Sequence, residues 1–497
     1  MRTSSYFSNI KFLIVAGVGL FGDGYLNISI GLVVPMIGYL YFDDKKNTIP
    51  TISGDLIKSG LAIGMVCGQV GFGIFGDALG RHRIYGKELM FTIFGTLMVI
   101  LMPWGHISHQ SVLAWMTVFR IVTGFGIGGD YPMTSSLSAE HTPMGSRAKL
   151  VATIFSSIGL GSMTSSIVYL VLLAAFKSSV NDNIHHLQWV WRLLFGIGLI
   201  PLICTLYFRL TMPESKPYEK YVATETSLKH NGQRGLHQQW RDFRVYFSEW
   251  KHAKVLFGVS AAWFLFDIAF YGINLNQSIV LSKIGYGKAD TPWGTLWNTA
   301  VGNIIVSSAL TSPVVKGYLP GFYIGIFLPD LVGRVSQQFW CSVGVVILYA
   351  IWAGVSHHTS TGGLVTIFTL SQLVLNMGPN VSTFLLPVEV FPTRVRGTAH
   401  GIAAASGKVG AIVTSFAFGS LTDAIGLPGV LGFLAGIMAL CAAVTLLIPE
   451  TKGRSIDEIE RGILYGEDDK SGQTTSSSDS SPELEGRDQV FSKSAEA

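Results

Sequence analysis

The stretch AAWFLFDIAFYGINLNQ, Ala261 to Gln277, sets Asp267 between Trp263 and Tyr271 at steps of four residues. On a helix that spacing stacks an indole, a carboxylate and a phenol along one face. The indole N–H and phenol O–H are donors suited to an oxyanion, whereas an ionised carboxylate repels one. The trio works as an anion site only when Asp267 carries a proton, so the spacing reads as anion capture tied to protonation. Other polar groups sit in similar surroundings: Asp130 after GIGG and beside Tyr131, Lys408 within AAASGKVGA, and Asn380 within NMGPNVSTF. Asp23 and Asn27, four apart in FGDGYLN, would share one stripe of the first apolar run. A charge at the centre of a membrane helix costs about 2.5–3.5 kcal/mol on insertion scales, so each needs a partner or a task. Small residues around Asp130 turn it toward the interior, where desolvation favours the neutral form and makes a proton-binding group. Lys408 is expected to neutralise an anion, or to pair with Asp23 when none is bound. Asn380 offers a neutral donor beside a Gly-Pro helix break.

The elements that must position these groups are membrane helices. Of 497 residues, 49% are hydrophobic and 13% charged, and the mean hydropathy is +0.43, which makes lipid the main solvent. Apolar runs of membrane-crossing length recur near 10–34, 57–76, 87–104, 112–137, 150–175, 190–211, 255–279, 296–329, 336–354, 363–388, 399–422 and 427–448. They lack the alternation of barrel strands. An all-α membrane protein of twelve transmembrane helices in two six-helix bundles is predicted. Its divisions are a first bundle over 1–211, a cytoplasmic connection over 212–254, a second bundle over 255–455 and a disordered tail over 456–497. Arg81, Arg83, Lys87, Arg147, Lys149, Arg334, Arg394 and Arg396 fall on one side of this topology, with both termini. That side is expected to be cytoplasmic; the charge-balanced DDKK of the first outer loop (Asp43 to Lys46) is a local exception. Cys67, Cys204, Cys341 and Cys441 lie in or beside apolar spans without metal-ligand spacing, and read as packing residues. No nucleophile–base set, metal cluster or cofactor motif emerges, so the expectation is a transporter without cofactor rather than an enzyme. Neither nucleic acid nor a second subunit is required.

Each predicted half repeats one device between its second and third spans. GIFGDALGRHR (Gly73 to Arg83) and GIFLPDLVGR (Gly325 to Arg334) both place an Asp ahead of a Gly-Arg turn. A parallel six-helix repeat suits a transporter that rocks two bundles about a midplane site. Asp77 with Arg81 or Arg83, and Asp330 with Arg334, would hold one gate closed.

These turns, with RIVTGFGIGGDYP (Arg120 to Pro132), PESK (Pro213 to Lys216) and PETKGR (Pro449 to Arg454), resemble the major facilitator superfamily over roughly residues 10–455. Within it, GGDYP, WFLFDIAFYGINLNQ, LPGFYIGIFLPDLVGR and GPNVSTFLLPVEVFPTRVRGTAHGIAAASGK are similar to the phosphate:proton symporters. The resemblance implies Asp130 as a proton site, Tyr131, Trp263, Asp267, Tyr271 and Asn380 around a phosphate group, and Lys408 on the anion or on a first-helix Asp. Leu26 stands where that family has a second Asp, and Ile158 where it has a Gln, so two polar groups are replaced and room for a larger organic substituent is expected. DGYLN resembles instead the fungal glycerophosphodiester permeases. The expectation is therefore a proton-coupled plasma-membrane importer of a glycerophosphodiester such as glycerophosphoinositol or glycerophosphocholine. Inorganic phosphate is the alternative cargo, and a non-transporting nutrient sensor is the competing class. SSALTSPVVKGY (Ser307 to Tyr318), with Lys316, is long for the family.

Overall fold

The computed structural model describes residues 2–42, 49–105, 108–140, 147–213, 218, 235–283, 289–308, 318–454 and 458. The DDKK loop, most of the central connection, Lys316 with its neighbours and the Ser-rich tail lie outside them. Helices α1 (Arg2–Tyr41), α2 (Thr51–Leu79), α3 (Arg81–Ile84), α4 (Lys87–Ile100), α5 (His109–Glu140), α6 (Arg147–Ala175), α7 (Lys177–Asp182) and α8 (Leu187–Leu210) build the first bundle. A connecting helix, α9 (Leu236–Phe247), leads to the second. That bundle comprises α10 (Trp250–Asn274), α11 (Gln277–Lys283), α12 (Pro292–Ser308), α13 (Tyr318–Val332), α14 (Arg334–Val355), α15 (Thr361–Met377), α16 (Pro379–Val390) and α17 (Thr393–Thr445).

Nine helices among the described residues are long and apolar enough to cross a membrane. The last, α17, has 53 residues, about 80 Å of helix, far too long for one crossing of about 30 Å. It breaks at Gly426, whose φ of 70° lies in the left-handed region, as the division between runs ending at 422 and starting at 427 predicts. The run predicted over 296–329 is instead two helices, α12 and α13, on either side of 309–317. The Gly-Pro break is real: Gly378, at φ −117° and ψ −96°, separates α15 from α16. With α4 and the α12–α13 pair, the predicted twelve-crossing plan is accounted for.

Lipid does not drive apolar helices together, so close backbone approach at small residues does much of the work. Along the seam between α2 and α5 the glycines interlock: a Cβ at Gly64 would collide with the Ile121 carbonyl, and one at Gly124 with the Leu61 carbonyl. The bundles meet where α2 packs on α17 and α6 on α12 and α13. At the first of these seams a Cβ on Gly401 would collide with the Gln69 carbonyl, so Gly401 lets two backbones from different bundles touch.

Gly64→Val is expected to lower the melting temperature of the purified protein by about 5 °C or more through backbone overpacking. Gly196→Ala, at a position with no neighbouring heavy atom within 4 Å of the new Cβ, leaves it unchanged in the same detergent melt.

Candidate functional site: a buried ion pair between two bundles

The stripe predicted on α10 forms as read. Trp263, Asp267 and Tyr271 are all buried and face α17. Lys408 Nζ donates to Asp267 Oδ2 at 3.0 Å and to Tyr271 Oη at 2.9 Å. Gly407 beside it admits the pair, because a Cβ there would run into the Trp263 ring and come within 2.9 Å of Asp267 Oδ2. From the first bundle, the Tyr131 ring stands 5.4 Å from Lys408 Nζ and 6.3 Å from the Trp263 ring. Tyr131 Oη donates to Asp23 Oδ2 at 2.5 Å, and Asn27 Nδ2 donates to Asp23 Oδ1 at 2.7 Å. Asp23 and Lys408 feel one another electrostatically, yet the ion pair expected between them is not made. Lys408 is held by Asp267, its neighbour within the same bundle.

Two further placements differ from expectation. Asp130 is buried, but it does not share the central site with the adjacent Tyr131. Successive helical residues point about 100° apart, and Asp130 turns into its own bundle. There Arg209 Nη1 donates to Asp130 Oδ1 at 2.6 Å and to Glu88 Oε1 at 3.2 Å, and Thr134 Oγ1 donates to Asp130 Oδ1 at 2.6 Å. Gly19 of α1 makes room, since any Cβ would collide with this pair. Glu88 and Arg209 were readable as ionisable residues near span ends. Asn380 is buried at the start of α16 and donates to Asn376 Oδ1 at 2.6 Å. Gln372 one turn back on α15 accepts from Asn274 at 3.1 Å, which ties the helix break to α10.

At the end bearing the Gly-Arg turns, Asp77 and Arg81 pair at 3.1 Å, and Asp330 and Arg334 at 3.3 Å. Asp77 also crosses between bundles, accepting from the Gly397 and Thr398 backbone N–H groups at 3.1 and 2.7 Å, in the buried second turn of α17. Glu140 and Glu389 complete the network. Glu140 binds Arg81 at 3.2 Å and, across the interface, Arg396 at 3.1 Å. Glu389 binds Arg334 at 2.9 Å and lies within electrostatic reach of Arg147. Predicted spans stopping at 137 and 388 cut both carboxylates out. The signal was present as an internal repeat, because Glu140 precedes Arg147 by the same seven residues that separate Glu389 from Arg396. From α9, Gln239 Nε2 reaches Asp77 Oδ2 and Thr398 Oγ1 at 3.3 and 3.2 Å.

Two bundles, a buried charged cluster between them and an ion-pair network at one end fit a transporter of the major facilitator type. The chain belongs to the sugar (and other) transporter family, which residues 12–462 match. A putative inorganic phosphate transporter of Schizosaccharomyces pombe is 38% identical, over 93% of this chain and 89% of its own. The inorganic phosphate transporter of Saccharomyces cerevisiae is 34% identical, over 90% and 84%. The repressible high-affinity phosphate permease of Neurospora crassa is also 34% identical, over 94% and 88%. The fold matches a proton:xylose symporter bound to 6-bromo-6-deoxy-D-glucose at a TM-score of 0.68 and 19% identity, over 92% of this chain and 99% of that one. This multi-pass membrane protein is a transporter, not an enzyme.

Removing one member of a buried pair strands the other at a cost of about 3–5 kcal/mol. Glu140→Ala is therefore expected to destabilise the folded protein by that order, and Arg396→Ala in the same chain to recover part of the loss. A double-mutant cycle of melting measurements gives the coupling, and additive losses would refute the cross-bundle pair.

Proposed function

We propose that the protein is a proton-coupled importer of inorganic phosphate in the plasma membrane, working by alternating access. The observation that carries this reading is the Lys408 ammonium held between Asp267 and Tyr271 in the buried centre. Counting Asp23, Asp267 and Lys408 as ionised, the centre carries one excess negative charge and repels an anion. A proton on Asp267 cancels that excess and releases the Lys408 ammonium from its carboxylate. Phosphate oxygens then take the place of Asp267 on Lys408, with the Trp263 indole, the Tyr131 and Tyr271 phenols and the Asn380 amide as further donors.

The same swap drives release. Once the latch formed by Asp77, Arg81, Asp330 and Arg334 opens, loss of the proton restores the carboxylate, which competes with phosphate for Lys408. Asp23, bonded to Tyr131, and Asp130, sharing the Arg209 guanidinium with Glu88, are secondary proton positions.

The expected glycerophosphodiester cargo gives way to phosphate. Leu26 and Ile158 were expected to make room for an organic substituent, but both are buried in the continuous apolar core, and Gly24 abuts the Ile158 carbonyl. They fill space. Relatives named as phosphate transporters, at 34–38% identity across most of the chain, support the smaller anion.

In cells lacking their own phosphate uptake, this chain is expected to restore accumulation of labelled phosphate. Excess unlabelled phosphate should compete, while glycerophosphocholine and glycerophosphoinositol should not. Initial rates fall as external pH rises, because the proton on Asp267 is needed for binding, and a protonophore abolishes accumulation. Asp267→Asn removes the pH dependence. Uptake unchanged by this substitution and by the protonophore would refute the coupling.

A further inference from the structure

The proposed transport cycle uses Lys408 but not a second buried cation, Lys58, at the opposite end of the interface from the Gly-Arg turns. Lys58 lies seven residues into α2, and Asn276 nine residues past Asp267 on the chain leaving α10, which sets both about 10 Å or more from the central pair along the helix axes. Lys58 Nζ donates to Asn276 Oδ1 at 3.0 Å, a direct hydrogen bond from one bundle to the other. Asp55, one turn back on α2, stands 3.7 Å from the ammonium, beyond an ordinary hydrogen bond. Lys58, Asp55, Asn276 and Gln277 are all buried. The Asn276 amide nitrogen donates to the Gly272 carbonyl at 3.0 Å. The Gln277 Nε2, next in sequence, is buried with no hydrogen-bond partner among the described residues.

An unmet amide donor of this kind costs about 1–3 kcal/mol, and an ammonium shared between a neutral amide oxygen and a carboxylate at 3.7 Å is less fully compensated than one in a close ion pair. Both deficits have the same sign: each group would be better satisfied by an oxyanion. The contact also crosses the interface, so any opening of this end must separate Lys58 from Asn276.

We propose that Lys58 and the Gln277 amide form an outer anion-docking site that receives phosphate before Lys408 does. Asn276 takes the anion's place on Lys58 when this end closes. The inference rests on phosphate as cargo and adds a station outside the central site. With the end open, the ammonium meets an incoming anion on a path walled by low-dielectric protein, where a single charge raises local anion concentration. As the anion moves inward, the Asn276 carbonyl oxygen replaces it and the bundles close behind it. Asp55 keeps the ammonium from holding the anion too tightly.

The test combines uptake with direct binding, using the full-length protein. Lys58→Gln is expected to raise the KM for labelled phosphate about tenfold, the loss of one charge-assisted hydrogen bond, and to weaken the salt dependence of uptake. Lys58→Arg keeps KM near that of the unmodified chain. Asn276→Ala removes the closing contact but leaves the cation, and lowers KM. In purified Lys408→Ala protein, calorimetry with inorganic phosphate should detect weak residual binding that Lys58→Gln eliminates. An unchanged KM in Lys58→Gln, or the same KM rise in Lys58→Arg and Asn276→Ala, would overturn the inference while leaving phosphate transport intact. Absence of phosphate uptake alongside Lys58-dependent phosphate binding would overturn the cargo and support the docking site. Loss of both uptake and binding overturns both.

Discussion

One constraint governs this molecule: an ammonium cannot remain in the centre of a membrane protein without an anion beside it. Lys408 meets that demand with Asp267 and Tyr271. Much of the surrounding architecture serves the pair. Gly407 lets α10 and α17 come close enough for it to form, and aromatic rings from α5, α10 and α16 enclose it. Tyr131, Phe384 and Trp263 lie 5.8–6.5 Å apart, ring to ring, excluding water and so strengthening the electrostatics inside. A cation so enclosed offers two stable choices, its own carboxylate or a foreign anion. In the proposed cycle protonation of Asp267 decides between them, and coupling follows from charge balance.

The same rule recurs along the interface. At the end with the Gly-Arg turns, Glu140 and Glu389 each hold an arginine of their own bundle, and Glu140 also holds Arg396 of the other. At the opposite end the contact is weaker, an amide oxygen on Lys58. The central pair is thus flanked at one end by cross-bundle ion pairs and at the other by hydrogen bonds to neutral acceptors, Lys58 on the Asn276 amide oxygen and the Trp293 indole on the Leu173 carbonyl. Ionic contacts are discrete and strongly dependent on geometry, so they favour a latch that is either made or broken. A charge-assisted hydrogen bond, worth about 1.5–3 kcal/mol net, yields more readily than a buried ion pair that costs about 3–5 kcal/mol to break.

The sequence was most informative where one local rule governed the outcome. Apolar run length gave the twelve crossings, and steps of four gave the Trp263, Asp267 and Tyr271 stripe. Paired Gly-Arg turns gave Asp77 with Arg81 and Asp330 with Arg334. What escaped was long-range pairing. Lys408 could reach an Asp on α1 or on α10, and nothing in linear order chose between Asp23 and Asp267. Asp130 and Tyr131 are neighbours in sequence, but helical geometry sends them to different sites. Glu140 and Glu389 fell just outside the predicted spans, although the shared seven-residue interval to Arg147 and Arg396 marked them. Leu26 and Ile158 were read as vacated space, whereas a close-packed interior converts apolar side chains into filling.

The central claim is that Asp267 couples the proton to the anion and is not itself needed to hold the anion. Proteoliposomes containing Asp267→Asn separate these roles. A neutral amide in place of the carboxylate should still permit exchange of labelled for unlabelled phosphate across the membrane, while uphill accumulation driven by an inward proton gradient is lost. Loss of exchange together with accumulation would make Asp267 part of the binding cradle alone. Accumulation that survives would move the coupling to another carboxylate and contradict the account.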